Sequence, residues 1–189
     1  MDTLRELFED QIKDIYSAEQ QLVKALPKMA EKASSKLLRK GFQEHLKQTE
    51  KQVSRLEQLA SKLDFKLEGK RCKAMEGLVA EGKEVIDEEG DDSVLDVALI
   101  AAAQRVEHYE IAAYGTVIAM ADQLGLSDAS ELLEETLNEE KETDERLTEI
   151  CTSEVFASLP QEEDEEEEQA KSPRSSKKPA ERSRPPKNM

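Results

Sequence analysis

The chain has 189 residues, 37% charged, 37% hydrophobic and 4% aromatic, with no Trp; 27 Lys and Arg against 43 Asp and Glu leave a net charge of −16. This composition excludes an all-β sandwich, which needs more turns and more β-branched and aromatic residues. It also disfavours nucleic acid or an anionic membrane surface as a partner of the body of the protein, and no apolar run approaches the ~20 residues of a membrane helix.

The opening residues, MDTLRELFED, lack the basic start and apolar centre of a secretory signal. Cys72 and Cys151 are isolated, with no CxxC spacing and no disulfide framework. Together these features point to a reduced, cytoplasmic protein.

Four long helices are expected. The first spans roughly Thr3 to Ala33, with an inward stripe of Phe8, Ile12, Ile15, Leu22, Leu26, Met29 and Ala33. Pro27 falls inside it and should kink it or free a carbonyl one turn back. Ser34 and Ser35 make a short turn. The second helix spans roughly Lys36 to Leu63, with Phe42, Leu46, Val53, Leu56 and Leu63 inward. A connection from about Asp64 to Asp92 follows, with one short helix around Cys72 to Glu88. The next long helix spans roughly Ser93 to Leu124, with Leu99, Ala103, Val106, Ala113, Val117, Met120 and Leu124 inward, and Gly125 can stop it. Ser127 and Asp128 can cap the last, which carries Leu133, Leu137, Leu147 and Ile150 and ends near Val155.

Short, long, short connections are those of a four-helix bundle with one long crossover. The fold class is therefore all-α, with residues 1–160 as the bundle and 161–189 as an acidic-then-basic tail. Glu162 to Glu168 is unbroken acid, and the end is rich in Lys, Arg, Pro and Ser. The tail has nothing to bury and is expected to be disordered. Its basic end could touch nucleic acid weakly; the simpler expectation is a solubilising segment that folds back on its acidic run.

The chemistry lies where the apolar stripes are interrupted. Glu19 breaks the first stripe, Thr49 the second, Glu110 the third, and Glu140 with Asp144 the fourth. Counted from the two short turns, these positions share one height, about 20 Å into the bundle. Glu107, one turn from Glu110, can reach in. Buried carboxylates cost several kcal/mol each unless compensated. No Lys or Arg interrupts the stripes; Arg105 and Arg146 lie on flanks. Three compensations stay open: a cation, a wet polar layer that fixes register, or a protonated dry cluster. Hard oxygen ligands suit iron or manganese, one or two ions.

An internal repeat supports this. A shift of 91 residues lays the first hairpin on the second, placing Glu19 on Glu110, Thr49 on Glu140, Gln52 on Thr143, and Arg55-Leu56 on Arg146-Leu147. Around the site, His45 could lean in from one turn before Thr49, and Tyr16 and Tyr114 lie within about a turn of a site Glu. His108 points away, and the cysteines are expected to be inert. There is no Gly-rich phosphate loop and no nucleophile–base motif.

The interrupted stripes look like those of a ferritin-like protein, in which two helices each give a Glu and two give Glu-x-x-His. The segments DIYSAEQQLVKALPKMA, HLKQTEKQVSRLE, RVEHYEIAAYGT and TLNEEKETDERL more closely resemble the YciE/YciF family of bacterial stress-associated proteins. The resemblance covers roughly residues 2 to 155. It implies a bundle that is often dimeric, with a metal centre and no settled reaction; here that means handling iron, oxygen or peroxide. Glu19 and Glu110 fill the single-Glu slots and Glu140 the Glu of the second motif. Both motif histidines are replaced, by Thr143 and by Gln52 of Thr49-x-x-Gln52, which puts a standard two-iron centre in doubt. The expected ligands are Glu19, Glu107, Glu110, Glu140 and Asp144, surrounded by His45, Thr49, Gln52, Tyr114 and Thr143. A metal-free dimeric scaffold is the other reading.

Overall fold

The computed structural model describes residues 1–160. It contains helices α1 (Leu4–Lys32), α2 (Lys36–Lys62), α3 (Lys73–Asp87), α4 (Asp92–Gln123) and α5 (Ser127–Ile150), and no strand among the described residues. One π-type turn, Cys151–Val155, and a 3₁₀ turn, Phe156–Ser158, prolong α5. The expectation of a disordered tail at 161–189 lies outside the described residues.

Local chemistry sets the helix ends. Thr3 and Glu6 exchange side-chain and backbone hydrogen bonds in a capping box at the start of α1. Ser35 caps α2 by accepting from Leu38 N, and Asp91 caps α4 by accepting from Ser93 N and Val94 N. At α5 the expected cap does not form. Leu126 is the N-cap, no side chain satisfies the first turn, and Ser127 is already helical. Gly125, with φ 69°, makes the tight turn before it, which takes up the residues that a side-chain cap would need. α1 continues through Pro27.

The buried positions repeat every three and four residues. In α1 they are Phe8, Ile12, Ile15, Glu19, Leu22, Leu26 and Met29. This 3.5-residue period keeps one seam facing the bundle axis. In α2 the seam is Phe42, His45, Thr49, Gln52, Leu56 and Leu59, one residue away from the expected Leu46 and Val53, which are only half-buried. The same holds at Thr136 rather than Leu137 in α5, and at Tyr114 and Ala121 rather than Ala113 and Met120 in α4.

The helices form a ferritin-like four-helix bundle. α1 pairs with α2 and α4 with α5; α1 also packs on α4, and α2 on α5. α3, in the crossover, lies against α1 and α4. The core is in two parts. One gathers the end of α1, the start of α2, the start of α4 and the end of α5 around Leu26, Phe42, Leu99 and Ile150. The other gathers the opposite ends around Phe8, Ile12, Leu59, Val117 and Leu133. α1 is thus antiparallel to α4, and α2 is parallel to it. The crossover must run from one end of the bundle to the other, and α3 covers part of that distance.

Asp96, one turn into α4, holds the α1–α2 turn. Its buried carboxylate accepts from Ser34 N at 2.9 Å, Ser35 N at 2.7 Å and Ser34 Oγ at 2.7 Å. Among the described residues, no helix is long and apolar enough to cross a membrane.

Candidate metal centre

Between the two apolar clusters lies a layer of buried polar side chains from all four long helices. α1 gives Glu19; α2 gives His45, Thr49 and Gln52; α4 gives Glu107, Glu110 and Tyr114; α5 gives Glu140. Spacing puts them there. Glu107, Glu110 and Tyr114 lie three and four residues apart on one face of α4, as His45, Thr49 and Gln52 do on α2.

Four of these converge. Ligand-capable atoms of His45, Glu107, Glu110 and Glu140 all lie within 4.8 Å of one another. His45 Nδ1 is 3.5 Å from Glu107 Oε1, and His45 Nε2 is 3.8 Å from Glu140 Oε2. Ligand atoms on opposite sides of one ion stand about 4 Å apart, twice an ordinary metal–ligand bond. A small contraction would therefore close these four on a cation.

Glu19 stands beside the four. Tyr114 Oη donates to Glu19 Oε1 at 2.5 Å. Gln52 Nε2 donates to Glu140 Oε1 at 2.6 Å and to Glu139 Oε2 at 3.1 Å. Thr49 Oγ1 donates to its own helix at His45 O. These bonds leave much unsatisfied. Glu19 Oε2, both His45 ring nitrogens, Gln52 Oε1, both Glu107 oxygens, Glu110 Oε1 and Glu140 Oε2 are buried with no hydrogen-bond partner. Orphaned polar atoms are rare in protein interiors and expensive. Eight such atoms lie on six residues of this layer, and four of those residues, three carboxylates and one imidazole, could hold a metal ion of the kind that hard oxygen and nitrogen donors suit.

Proton affinities point the same way. Burial and the repulsion of Glu140 hold the Glu19 carboxyl well above the usual range, against the lowering effect of the Tyr114 hydroxyl. Burial and neighbouring carboxylates do the same to Glu107 and Glu110. Glu140 is pushed up to about 7 by burial, partly offset by the bond from Gln52. Burial lowers His45 to about 4. Without a cation the site would have to hold its acids protonated and its imidazole neutral.

Three sequence expectations are placed differently. Asp144 is a fifth exposed, accepts from Gln104 Nε2 at 3.0 Å and lies 3.5 Å from His108 Nε2, outside the converging four. The seam steps from Glu140 to Leu147, so positions 143 and 144 straddle it. Thr143 Oγ1 accordingly turns back to Glu139 O. His45, expected around the site, is one of the four. The third concerns bases at this level. Arg55 of α2 is paired to Glu139 through a two-pronged contact and donates to Thr136 Oγ1 at 3.2 Å. Its charge lowers the proton affinity of Glu19 and Glu140. The repeat that matches Arg55 to Arg146 was the signal that could have found it. Elsewhere, His108 is exposed and Tyr16 Oη donates to Glu57 at 2.9 Å on the surface.

Residues 3–159 match the family described as Domain of unknown function (DUF892). Protein YciF of Escherichia coli strain K12 is 46% identical over 156 residues, 82% of this chain and 94% of that protein. The crystal structure of the E. coli stress protein YciF superposes with a TM-score of 0.81 at 44% identity, covering 84% of this chain and 100% of that one. YcfI from Rhodopseudomonas palustris gives a TM-score of 0.76 at 47% identity over 78% of this chain and 94% of the other.

Proposed function

The chain belongs to the DUF892 family and is similar to the stress protein YciF, and from that premise we propose that it is a stress-linked metal-binding protein whose bundle, residues 1–160, holds iron or manganese. The observation that carries this reading is the set of orphaned buried atoms shared by His45, Glu107, Glu110 and Glu140. These four would hold one ion, and Glu19, with Oε2 unpaired, would be the carboxylate available to a second. A bound ion would supply Lewis acidity and, as iron or manganese, one-electron chemistry toward oxygen or peroxide.

The chain's own residues do the rest. Gln52 fixes Glu140 by donating to one oxygen, which leaves the other for the ion. Tyr114 does the same for Glu19. Arg55 binds Glu139, and its charge offsets the repulsion that this outer carboxylate adds at Glu19 and Glu140. The two apolar clusters exclude water above and below. We place the protein in the cytoplasm as a homodimer.

Elemental analysis of protein purified without chelator, repeated after anaerobic addition of ferrous iron, tests the reading. One to two equivalents are expected, and they are lost in a Glu107→Gln, Glu110→Gln double variant. No metal in either sample, with the double variant more stable than the parent, would replace it by the second reading, a metal-free scaffold. That reading is favoured by one observation: Thr49 and Gln52 stand where a Glu and a His would complete a two-iron centre.

A further inference from the structure

The face of the bundle covered by α3 is not fully packed. An apolar cavity of about 140 Å³ lies among α1, α3 and α4, walled by residues that include Leu22, Leu26, Leu78, Ile86, Ala103 and Val106. Its inner end is formed by His45 and Glu107, two of the four converging residues. Lys24 and Lys28 of α1 and Lys83 of α3, all exposed, also line it and form its outer end. Lys83 in addition pairs with Asp87 at 2.5 Å.

Two features make this a built space. First, Gly82 lines it from the middle of α3 and is buried, yet a Cβ added there would meet no atom within 4 Å. Glycine in mid-helix weakens the helix, and here it leaves open a space that a side chain could fill without a clash. Second, the charges are ordered. Three exposed lysines line one side of it in a chain of net charge −16, while His45 and Glu107 at the other are buried. An anion would be held at the lysines. An apolar cavity of roughly this volume takes up a benzene-sized guest, about six carbons.

We propose that this cavity binds a small amphiphile, with an apolar tail of about six carbons inside and an anionic head on Lys24, Lys28 and Lys83. The tail would end against the His45 and Glu107 side of the polar layer. The site stands on its walls and its lysines and not on a bound ion, so failure here leaves the metal reading untouched.

The test is a titration of metal-free, full-length protein with hexanoate, followed by amide chemical shifts, with 1-hexanol as the neutral control. Saturable shifts on α1, α3 and α4 are expected, with hexanoate bound more tightly than hexanol. Gly82→Leu should fill the space and cost at least tenfold in hexanoate affinity while thermal stability holds or rises. Ala25→Leu, from the α1 side, serves if the first variant does not fold. Lys24→Gln with Lys28→Gln should weaken hexanoate at least threefold and leave hexanol unchanged. No saturable shift, undiminished affinity in the filled variants, or hexanol bound as tightly as hexanoate would each overturn the proposal.

Discussion

His45 Nδ1 lies 3.5 Å from Glu107 Oε1, and both side chains are buried with no hydrogen-bond partner. His45 sits one turn of α2 before Thr49, the residue that stands where a ligand Glu would be in the wider bundle pattern. In the proposed metal site, the nitrogen absent from position 52 would come from seven residues earlier on the same seam. Replacing His45 with Ala should lower ferrous affinity by roughly tenfold or more, and leave at least part of the carboxylate binding. Isothermal titration under nitrogen measures this; unchanged affinity would remove His45 from the ligand set.

The metal-free protein should lose stability as pH rises. Glu19, Glu107 and Glu110 bind protons far more tightly folded than unfolded, and Glu140 titrates at about 7 against an ordinary 4.5. Their contribution is fully present below about pH 4.5 and fades as pH rises through each raised value. His45, lowered to about 4 from 6.5, acts the other way and costs stability as pH falls between those values. Four acids outweigh one imidazole. Denaturant midpoints of metal-free protein should therefore fall from about pH 5 to about pH 8. Saturating manganous ion should flatten the trend, since the cation replaces the protons.

Tyr114→Phe should destabilise by about 1–3 kcal/mol. The hydroxyl donates to Glu19 Oε1 and favours the ionised carboxyl. Without it the Glu19 carboxyl is pushed higher still, so the loss should be larger at pH 8 than at pH 5. A loss independent of pH would mean that only ring packing had changed.

Asp96→Ala should cost about 2–5 kcal/mol in urea unfolding, because two backbone N–H groups and a hydroxyl of the α1–α2 turn lose their acceptor. Metal content should not change. Asp144→Asn, by contrast, alters a residue at the edge of the site and should leave both stability and metal content close to the parent.

The bundle was legible because its stripes are long and its turns are short. α1 reads unambiguously, since each seam position apart from Glu19 is Phe, Ile, Leu or Met. α2 shows where the reading slips. Leu46 and Val53 are more apolar than their neighbours His45 and Gln52, so a hydrophobic stripe drawn on sequence runs through the former. The fold buries the latter, because the seam passes through the polar layer there; Gln52 Nε2 donates to Glu139 and Glu140 of α5, while both ring nitrogens of His45 stay without a hydrogen-bond partner. The same displacement explains Asp144. A carboxylate at position 144 matches an inward spacing from Leu137, but Leu137 itself is half-buried and the seam runs through Thr136 and Glu140. Glu107 is legible from its spacing, since it lies three residues before Glu110 and shares that buried face of α4. The fifth helix, α3, was foreseen by position, but the space beneath Gly82 has no counterpart in a one-dimensional pattern.

The polar layer also bears on the order in which the chain assembles. Each hairpin, α1–α2 and α4–α5, is made from partners close in sequence and can form early. Joining the two requires Glu19 to approach Glu107, Glu110 and Glu140, and brings Asp96 to a turn some sixty residues away. Docking therefore sets like charges face to face before any cation has neutralised them. Refolding should be slow at neutral pH in chelator, and faster when acid or manganous ion removes that repulsion, with hairpin formation unaffected.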